Sequence, residues 1–248
     1  MTEKTIILFD VDGTLTESRK VIKQDMVDTL QKLSKKYIIG IVGGSDLKKQ
    51  KEQLGDTINV FNYLFSENGT VAFKDGECFH KKNVIDFLGQ KNYHKLVNYC
   101  LKYISDLELP VKTGTFIELR NAMVNVSPIG RNCNQEERDN FFKYDQENNV
   151  RKTFAEQMED DLKDLGLKYS LGGQISIDVF PIGWDKTYCL QHLKKDGFNK
   201  VYFFGDRTFE GGNDHEIFIS SDTESYTVND PSETINYINS LFLNNEKN

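Results

Sequence analysis

The chain has 248 residues, enough to bury the core of one large domain or two small ones. Its 38 acidic and 31 basic side chains leave a net charge of −7, which disfavours nucleic acid and anionic membrane as partners. No apolar stretch reaches spanning length, Met1-Thr2-Glu3-Lys4 lacks the apolar segment of a signal peptide, and Cys78, Cys100, Cys133 and Cys189 form no Cys-x-x-Cys pair, so a cytoplasmic protein with reduced thiols is expected.

In chain order, the pattern opens with a buried strand, Thr5-Ile6-Ile7-Leu8-Phe9, running into Asp10-Val11-Asp12-Gly13-Thr14. Met26, Val27, Leu30 and Leu33 recur at helical spacing, and Tyr37 to Val42 forms a second strand ending in Gly43-Gly44-Ser45-Asp46. A helix to Leu54 stops at Gly55, Tyr63 to Phe65 is a third strand, and Asp75-Gly76 joins a hairpin of Thr70 to Phe73 and Glu77 to His80. The middle third predicts an amphipathic helix over Tyr93 to Leu107, strands at Phe116 to Leu119 and Met123 to Val126, and helices over Gln135 to Glu147 and Val150 to Leu165. A second strand pair, Lys168 to Leu171 and Ile175 to Phe180, closes it. Strand–helix alternation then returns: a helix from Lys186 to Leu193, a strand from Lys200 to Phe204, a short strand at Tyr226 to Val228 and a helix over Pro231 to Leu243, with Asn244 to Asn248 as a disordered polar tail. The fold class is therefore α/β, a discontinuous core of 1–82 plus 183–248 with an inserted α+β cap at 83–182.

A parallel strand in an open α/β sheet delivers its C-terminal residues to the crevice where such folds bind ligands. Two carboxylates one residue apart diverge there, unless Gly13 turns the chain and brings both to one ligand. One can attack phosphorus while the other moves protons. Asp10-Val11-Asp12-Gly13-Thr14 after a buried strand resembles the first motif of the haloacid-dehalogenase superfamily of phosphoryl-transfer enzymes. That resemblance implies a Rossmann-like core in which Asp10 is phosphorylated, Asp12 is the general acid/base, and Mg2+ joins Asp10, the main-chain carbonyl at Asp12 and a later acidic residue. A hard cation is the natural remedy for a carboxylate attacking an anionic phosphoryl group.

Three later motifs fit the same chemistry. Gly43-Gly44-Ser45-Asp46 meets a helix N-terminus, where backbone N–H groups attract anions; Ser45 binds phosphate there, or Ser45 or Asp46 is simply the N-cap. Lys186 opens a helix, a position the dipole disfavours for a cation, and the resemblance makes it the charge that neutralises the aspartyl phosphate. Phe203-Phe204-Gly205-Asp206 repeats the opening pattern, so Asp206 is the further Mg2+ anchor; Asp214 of Gly211-Gly212-Asn213-Asp214 binds the ion directly or through water, or braces the loop.

The cap narrows the family. Phe116 to Asn121, Asn125 to Arg131, Glu136-Glu137-Arg138, Gly172 to Pro181, Gly183-Trp184-Asp185-Lys186 and Phe203 through Phe218 are together similar to eukaryotic-type phosphomannomutase, over essentially the whole chain. The resemblance implies that Arg19 touches substrate, that Arg120, Arg131 and Arg138 grip the distal phosphate and sugar, and that Ser176 and Asp178 hold sugar hydroxyls or phosphate. These four belong to a chain with only six arginines, and the planar guanidinium fork suits a dianion; Arg120 has the alternative of pairing with Glu118 in its own sheet. A second cation site in the family maps onto Phe218, Ser220 and Thr223, where Ser220 replaces a carboxylate; weakening is expected, with Asp222 as a possible substitute.

The implied reaction interconverts mannose 6-phosphate and mannose 1-phosphate, feeding GDP-mannose synthesis, through phospho-Asp10 and a hexose 1,6-bisphosphate that also serves as activator. A mobile cap excluding water and a homodimer through the caps are further implications. The core motifs alone fit a sugar-phosphate phosphatase equally well, and mannose and glucose differ at one epimeric hydroxyl, so a phosphoglucomutase preference stays open.

Overall fold

The computed structural model describes residues 3–244, so residues 245–248 of the expected polar tail lie outside it. In chain order its elements are β1 (Thr5–Phe9), α1 (Gln24–Ser34), β2 (Ile38–Val42), α2 (Leu47–Leu54), β3 (Tyr63–Ser66), β4 (Val71–Lys74), β5 (Glu77–Lys81), α3 (Val84–Asp106), β6 (Ile117–Leu119), β7 (Val124–Val126), α4 (Gln135–Asn148), α5 (Val150–Asp161), β8 (Leu167–Gly172), β9 (Ser176–Pro181), α6 (Leu190–Lys195), β10 (Lys200–Gly205), α7 (His215–Phe218), β11 (Glu224–Thr227) and α8 (Pro231–Ile238). They form two compact units, one of residues up to Lys81 together with those from Gly183 onward, the other of Lys82–Ile182.

The first unit is built on a sheet of order β11-β10-β1-β2-β3-β4-β5. Strands β11 through β3 run parallel, and β4 and β5 add an antiparallel edge. β1 explains its own apolar run: Ile7 and Phe9 enter the core on one face with Met26, Leu30 and Phe204, while Ile6 and Leu8 enter the core on the other with Leu190, Leu193 and Phe203. A strand buried on both faces needs no polar alternation. The chain winds from β1 to β2 and β3 on one side and to β10 and β11 on the other, so the C-terminal ends of β1 and β10 flank the switch point of the sheet. The β4–β5 turn has Asp75 at φ 49° and Gly76 at φ 85°, the paired positive angles of a tight hairpin.

The second unit is an antiparallel sheet of order β6-β7-β9-β8. Val124, Val126, Ile177 and Val179 of its central strands pack against Leu96 and Cys100 of α3 and Phe154 and Met158 of α5. The architecture is thus an α/β core with an inserted α+β unit.

Several elements differ from the sequence expectation. Helix α3 starts at Val84, well before Tyr93, because Asn83 caps it by accepting the Asp86 N–H at 2.9 Å. Gly89 leaves the helical region at φ 70°, ψ 157°, which breaks the apolar period between buried Leu88 and Leu96. The last helix is regular only to Ile238 and widens into a π turn over Asn239–Leu243, and α7 is a single turn, too short to leave a periodic signal. Among the described residues no helix is long and apolar enough to cross a membrane.

Candidate active site

Asp10, Asp206 and Asp214 each place a carboxylate oxygen within 4.8 Å of the other two. The sheet register brings the first two together: Phe9 pairs with Phe204, and the Asp10 N–H donates to the Phe204 carbonyl at 2.9 Å. Gly13 makes the closeness possible. Its φ is +81°, and a Cβ at that position would lie 2.2 Å from Asp206 Oδ2. Asp214 is wholly buried just before α7, where it accepts the Arg207 N–H at 3.0 Å.

Lys186 completes this group. Asp185 caps its turn by accepting the Thr187 N–H at 2.9 Å, and the fully buried Lys186 ammonium donates to both Asp10 and Asp214. A cation at a helix start is opposed by the dipole, and two carboxylates here offset that cost. Burial works against the charged form of Lys186, yet the charges of Asp10 and Asp214 outweigh it and hold its pKa above the ordinary value. Burial also pushes the Asp10 carboxyl up to about 7, against the pull of Lys186. Asp206 is pushed up to about 6, again by burial first and then by the charge of Asp214.

These residues fit Mg2+. Three carboxylates face one ammonium, so negative charge is in excess, and every donor is a hard oxygen. Asp206 Oδ1 is moreover buried with no hydrogen-bond partner among the described residues, a costly state for a carboxylate that a cation would relieve.

Asp12 stands apart from that cluster by its side chain. Its Oδ1 accepts the Arg19 N–H at 2.7 Å and Gln53 Nε2 at 2.8 Å, and Lys49 Nζ lies 3.8 Å from Oδ2. Arg19 is exposed and held at φ 62°, in the left-handed region. Gln53 carries little signal of this role in the sequence. Its one signal is that Gln50 and Gln53 share the buried face of α2 with Leu54, where apolar residues would otherwise stand. At the start of that helix Asp46 is the N-cap, accepting the Lys49 N–H at 2.8 Å, which leaves the Ser45 hydroxyl outside the capping.

The loop of Phe218, Ser220 and Thr223 closes on itself: Thr223 Oγ1 donates to the Ile217 carbonyl at 2.7 Å and Thr223 N–H to the Ser220 carbonyl at 3.2 Å. Asp222 is taken by Lys194 at 2.6 Å.

In the second unit two of the sequence-predicted residues, Arg131 and Asp178, are linked through Asn125, which was not among them. Arg131 Nη1 donates to Asn125 Oδ1 at 2.6 Å, and Asn125 Nδ2 to Asp178 Oδ1 at 2.5 Å, as the pairing of Asn125 with Asp178 allows. Arg131 and Arg120 share Glu118 Oε2, at 3.1 and 2.7 Å. Arg138 donates to the Arg131 carbonyl at 3.0 Å, and Ser176 Oγ to the Gly172 carbonyl at 2.9 Å. The exposed Arg120–Glu118 pair contributes little stability.

The sequence pattern of eukaryotic phosphomannomutase matches residues 26–244. Phosphomannomutase 1 of Dictyostelium discoideum is 54% identical over 242 residues, 96% of each chain. The phosphomannomutase of Saccharomyces cerevisiae is 50% identical over 240 residues, 96% of this chain and 94% of its own. Among solved structures, a haloacid dehalogenase-like hydrolase from Bacteroides thetaiotaomicron shares the fold with a TM-score of 0.63 at 14% identity, covering 97% of this chain and 100% of the other. The IMP-bound, N-terminally truncated IMP-nucleotidase of Plasmodium falciparum also reaches 0.63, at 16% identity over 96% of this chain and 68% of its own. The chain belongs to the eukaryotic phosphomannomutase family.

Proposed function

We propose that the protein is a phosphomannomutase, an isomerase that interconverts mannose 6-phosphate and mannose 1-phosphate and so supplies GDP-mannose synthesis. The observation that carries the reading is the buried Asp10 carboxylate paired with Lys186 beside Asp206 and Asp214, in a chain 50% or more identical to named phosphomannomutases.

Asp10 carries the phosphoryl group. Phospho-Asp10 donates it to the free hydroxyl of a hexose monophosphate while Asp12 takes the hydroxyl proton, giving a hexose 1,6-bisphosphate and free Asp10. The bisphosphate turns end for end, Asp10 accepts its other phosphate, and Asp12 returns a proton to the departing oxygen. The same bisphosphate supplied in trace amounts restores phospho-Asp10 when it is lost. Lys186 offsets charge on Asp10 and the phosphoryl oxygens, with Ser45 as a further phosphate contact, so the catalysis is mainly positioning and electrostatics. Asp10, Asp206, Asp214 and the main chain at Asp12 would hold Mg2+, which when bound would offset phosphoryl charge further. Arg19, Arg120, Arg131, Arg138, Ser176 and Asp178 bind the sugar and its distal phosphate.

The Phe218, Ser220 and Thr223 positions belong to the proposal as a weakened second cation site; an unchanged monovalent-ion and Mg2+ dependence in Ser220→Asp would remove its importance. A homodimer through the Lys82–Ile182 unit and a cytoplasmic location complete the reading, and the free cysteines suit a reducing compartment. Light scattering on the eluted protein should return twice the monomer mass; a monomer mass refutes the dimer. The assigned nucleophile is tested by Asp10→Asn, which should abolish turnover and phosphoenzyme formation while the circular dichroism spectrum is kept. Turnover at the wild-type rate would rule Asp10 out.

A further inference from the structure

One buried charge pair lies outside every role assigned above. Arg151 at the start of α5 is 4% exposed and Asp145 near the end of α4 is 6% exposed. Arg151 Nε donates to Asp145 Oδ2 at 2.8 Å, and the Arg151 N–H donates to Asp145 Oδ1 at 2.7 Å. Burying such a pair carries a large desolvation cost, and two well-packed apolar side chains would join α4 and α5 as well or better. The pair therefore needs a reason other than stability.

What a guanidinium adds is direction. Its donors are fixed in one plane, and the Asp145 bond sets where the remaining ones point. Nη1 of Arg151 points at the β8–β9 hairpin, donating to the Gly173 carbonyl at 2.9 Å and the Ser176 carbonyl at 3.3 Å. The same turn carries the Ser176 hydroxyl on the Gly172 carbonyl. It also forms one wall of Asp178: a Cβ on Gly172 would lie 2.5 Å from Asp178 Oδ2. Arg151 thus grips the backbone on both sides of the turn that sets Ser176 and borders Asp178.

We infer that Arg151, oriented by Asp145, is a positioning residue for substrate binding, acting through Ser176 and Asp178; this rests on the proposed role of those two side chains. The test uses full-length enzyme and mannose 1-phosphate with activating glucose 1,6-bisphosphate. Asp145→Leu/Arg151→Met removes both charges together, and Arg151→Lys keeps the charge but not the fork. Ser176→Ala and Asp178→Asn are measured beside them. We expect both Arg151 variants to raise KM about tenfold with kcat within about threefold, the size of one or two lost hydrogen bonds felt in binding. Adding Ser176→Ala to the double variant should raise KM no further, since both changes act on one contact. A purely structural role would instead lower the melting temperature and kcat with KM unmoved. Should the double variant fail to fold, Arg151→Lys carries the same KM test. Unchanged KM in the Arg151 variants, with KM raised by Ser176→Ala and Asp178→Asn, overturns the inference alone; unchanged KM in Ser176→Ala and Asp178→Asn overturns the binding role beneath it as well.

Discussion

The Gln53 amide nitrogen lies 2.8 Å from Asp12 Oδ1, so helix α2 holds the carboxylate assigned to proton transfer. A carboxylate only accepts, so the amide must present its NH2 group, and this leaves Gln53 Oε1 buried without a partner among the described residues. The backbone repeats the tie, with the Ile22 N–H donating to the Gln53 carbonyl at 2.9 Å. Gln53→Leu should lower kcat about 10- to 100-fold through a misdirected Asp12, up to the lower end of what acid–base catalysis supplies. Steady-state mutase kinetics check this, and a wild-type kcat would show that the amide has no share.

Lys186 stands between two buried carboxylates, and Lys186→Met would leave them facing each other. Removing one partner of a buried pair should cost about 3–5 kcal/mol at neutral pH, read by urea unfolding. Asp10 already has a folded-state pKa near 7, above its unfolded value of 3.8, so the folded protein binds more protons over that window. Stability of the variant should accordingly recover as pH falls from 7 toward 5. Activity should drop about a thousandfold, as for loss of a preorganised charge at a transition state. A variant with wild-type stability at pH 7 would contradict the buried pairing.

In the proposed site Mg2+ would compete with protons for Asp10 and Asp206, whose carboxyls burial pushes up to about 7 and about 6. Apparent Mg2+ affinity should rise with pH, by up to about tenfold per unit for each proton displaced, and flatten above pH 7. Asp206→Asn should weaken binding by more than the roughly 10- to 100-fold that loss of a partner supporting a ligand costs, and chelator should stop turnover reversibly. Calorimetric titration of Mg2+ at several pH values measures both. Affinity independent of pH would contradict the assignment of these carboxylates.

His192 supplies a pH test outside the site. Its Nε2 is buried without a partner among the described residues, and its ring lies 4.4 Å from that of His80. Burial first, then the neighbouring imidazole, lowers its pKa from 6.5 to about 4. The folded protein therefore binds fewer protons than the unfolded chain over that window, and stability is lost as pH falls through it. The loss attributable to this group between pH 7.5 and pH 5 is about 2 kcal/mol. His192→Phe, packed against Phe65 and Phe79, should remove most of that dependence in urea melts. An unchanged pH slope would place the effect elsewhere.

Much of this was legible in the sequence because strands buried on both faces are apolar throughout. Thr5–Phe9 and Lys200–Gly205 announce themselves this way, and each is followed by a carboxylate. That Asp10 meets Asp206 depends on β10 pairing with β1, which strand patterns imply only through the expected topology. The start of α3 was hidden because Gly89 interrupts the helical period. Gln53 was hidden because a glutamine among lysines on a helix reads as solvated; only the fold over α2 buries it. Arg151 was hidden for the same reason, since its burial depends on the turn between α4 and α5 and on the β8–β9 hairpin.

The central claim is that phospho-Asp10 passes its phosphate to a sugar rather than to water. It is tested most directly by supplying mannose 1-phosphate, Mg2+ and a catalytic amount of glucose 1,6-bisphosphate, then separating mannose 6-phosphate from inorganic phosphate. Mannose 6-phosphate accumulating to equilibrium with little free phosphate is the predicted result. Stoichiometric free phosphate with no isomer would contradict the account and make the protein a phosphatase.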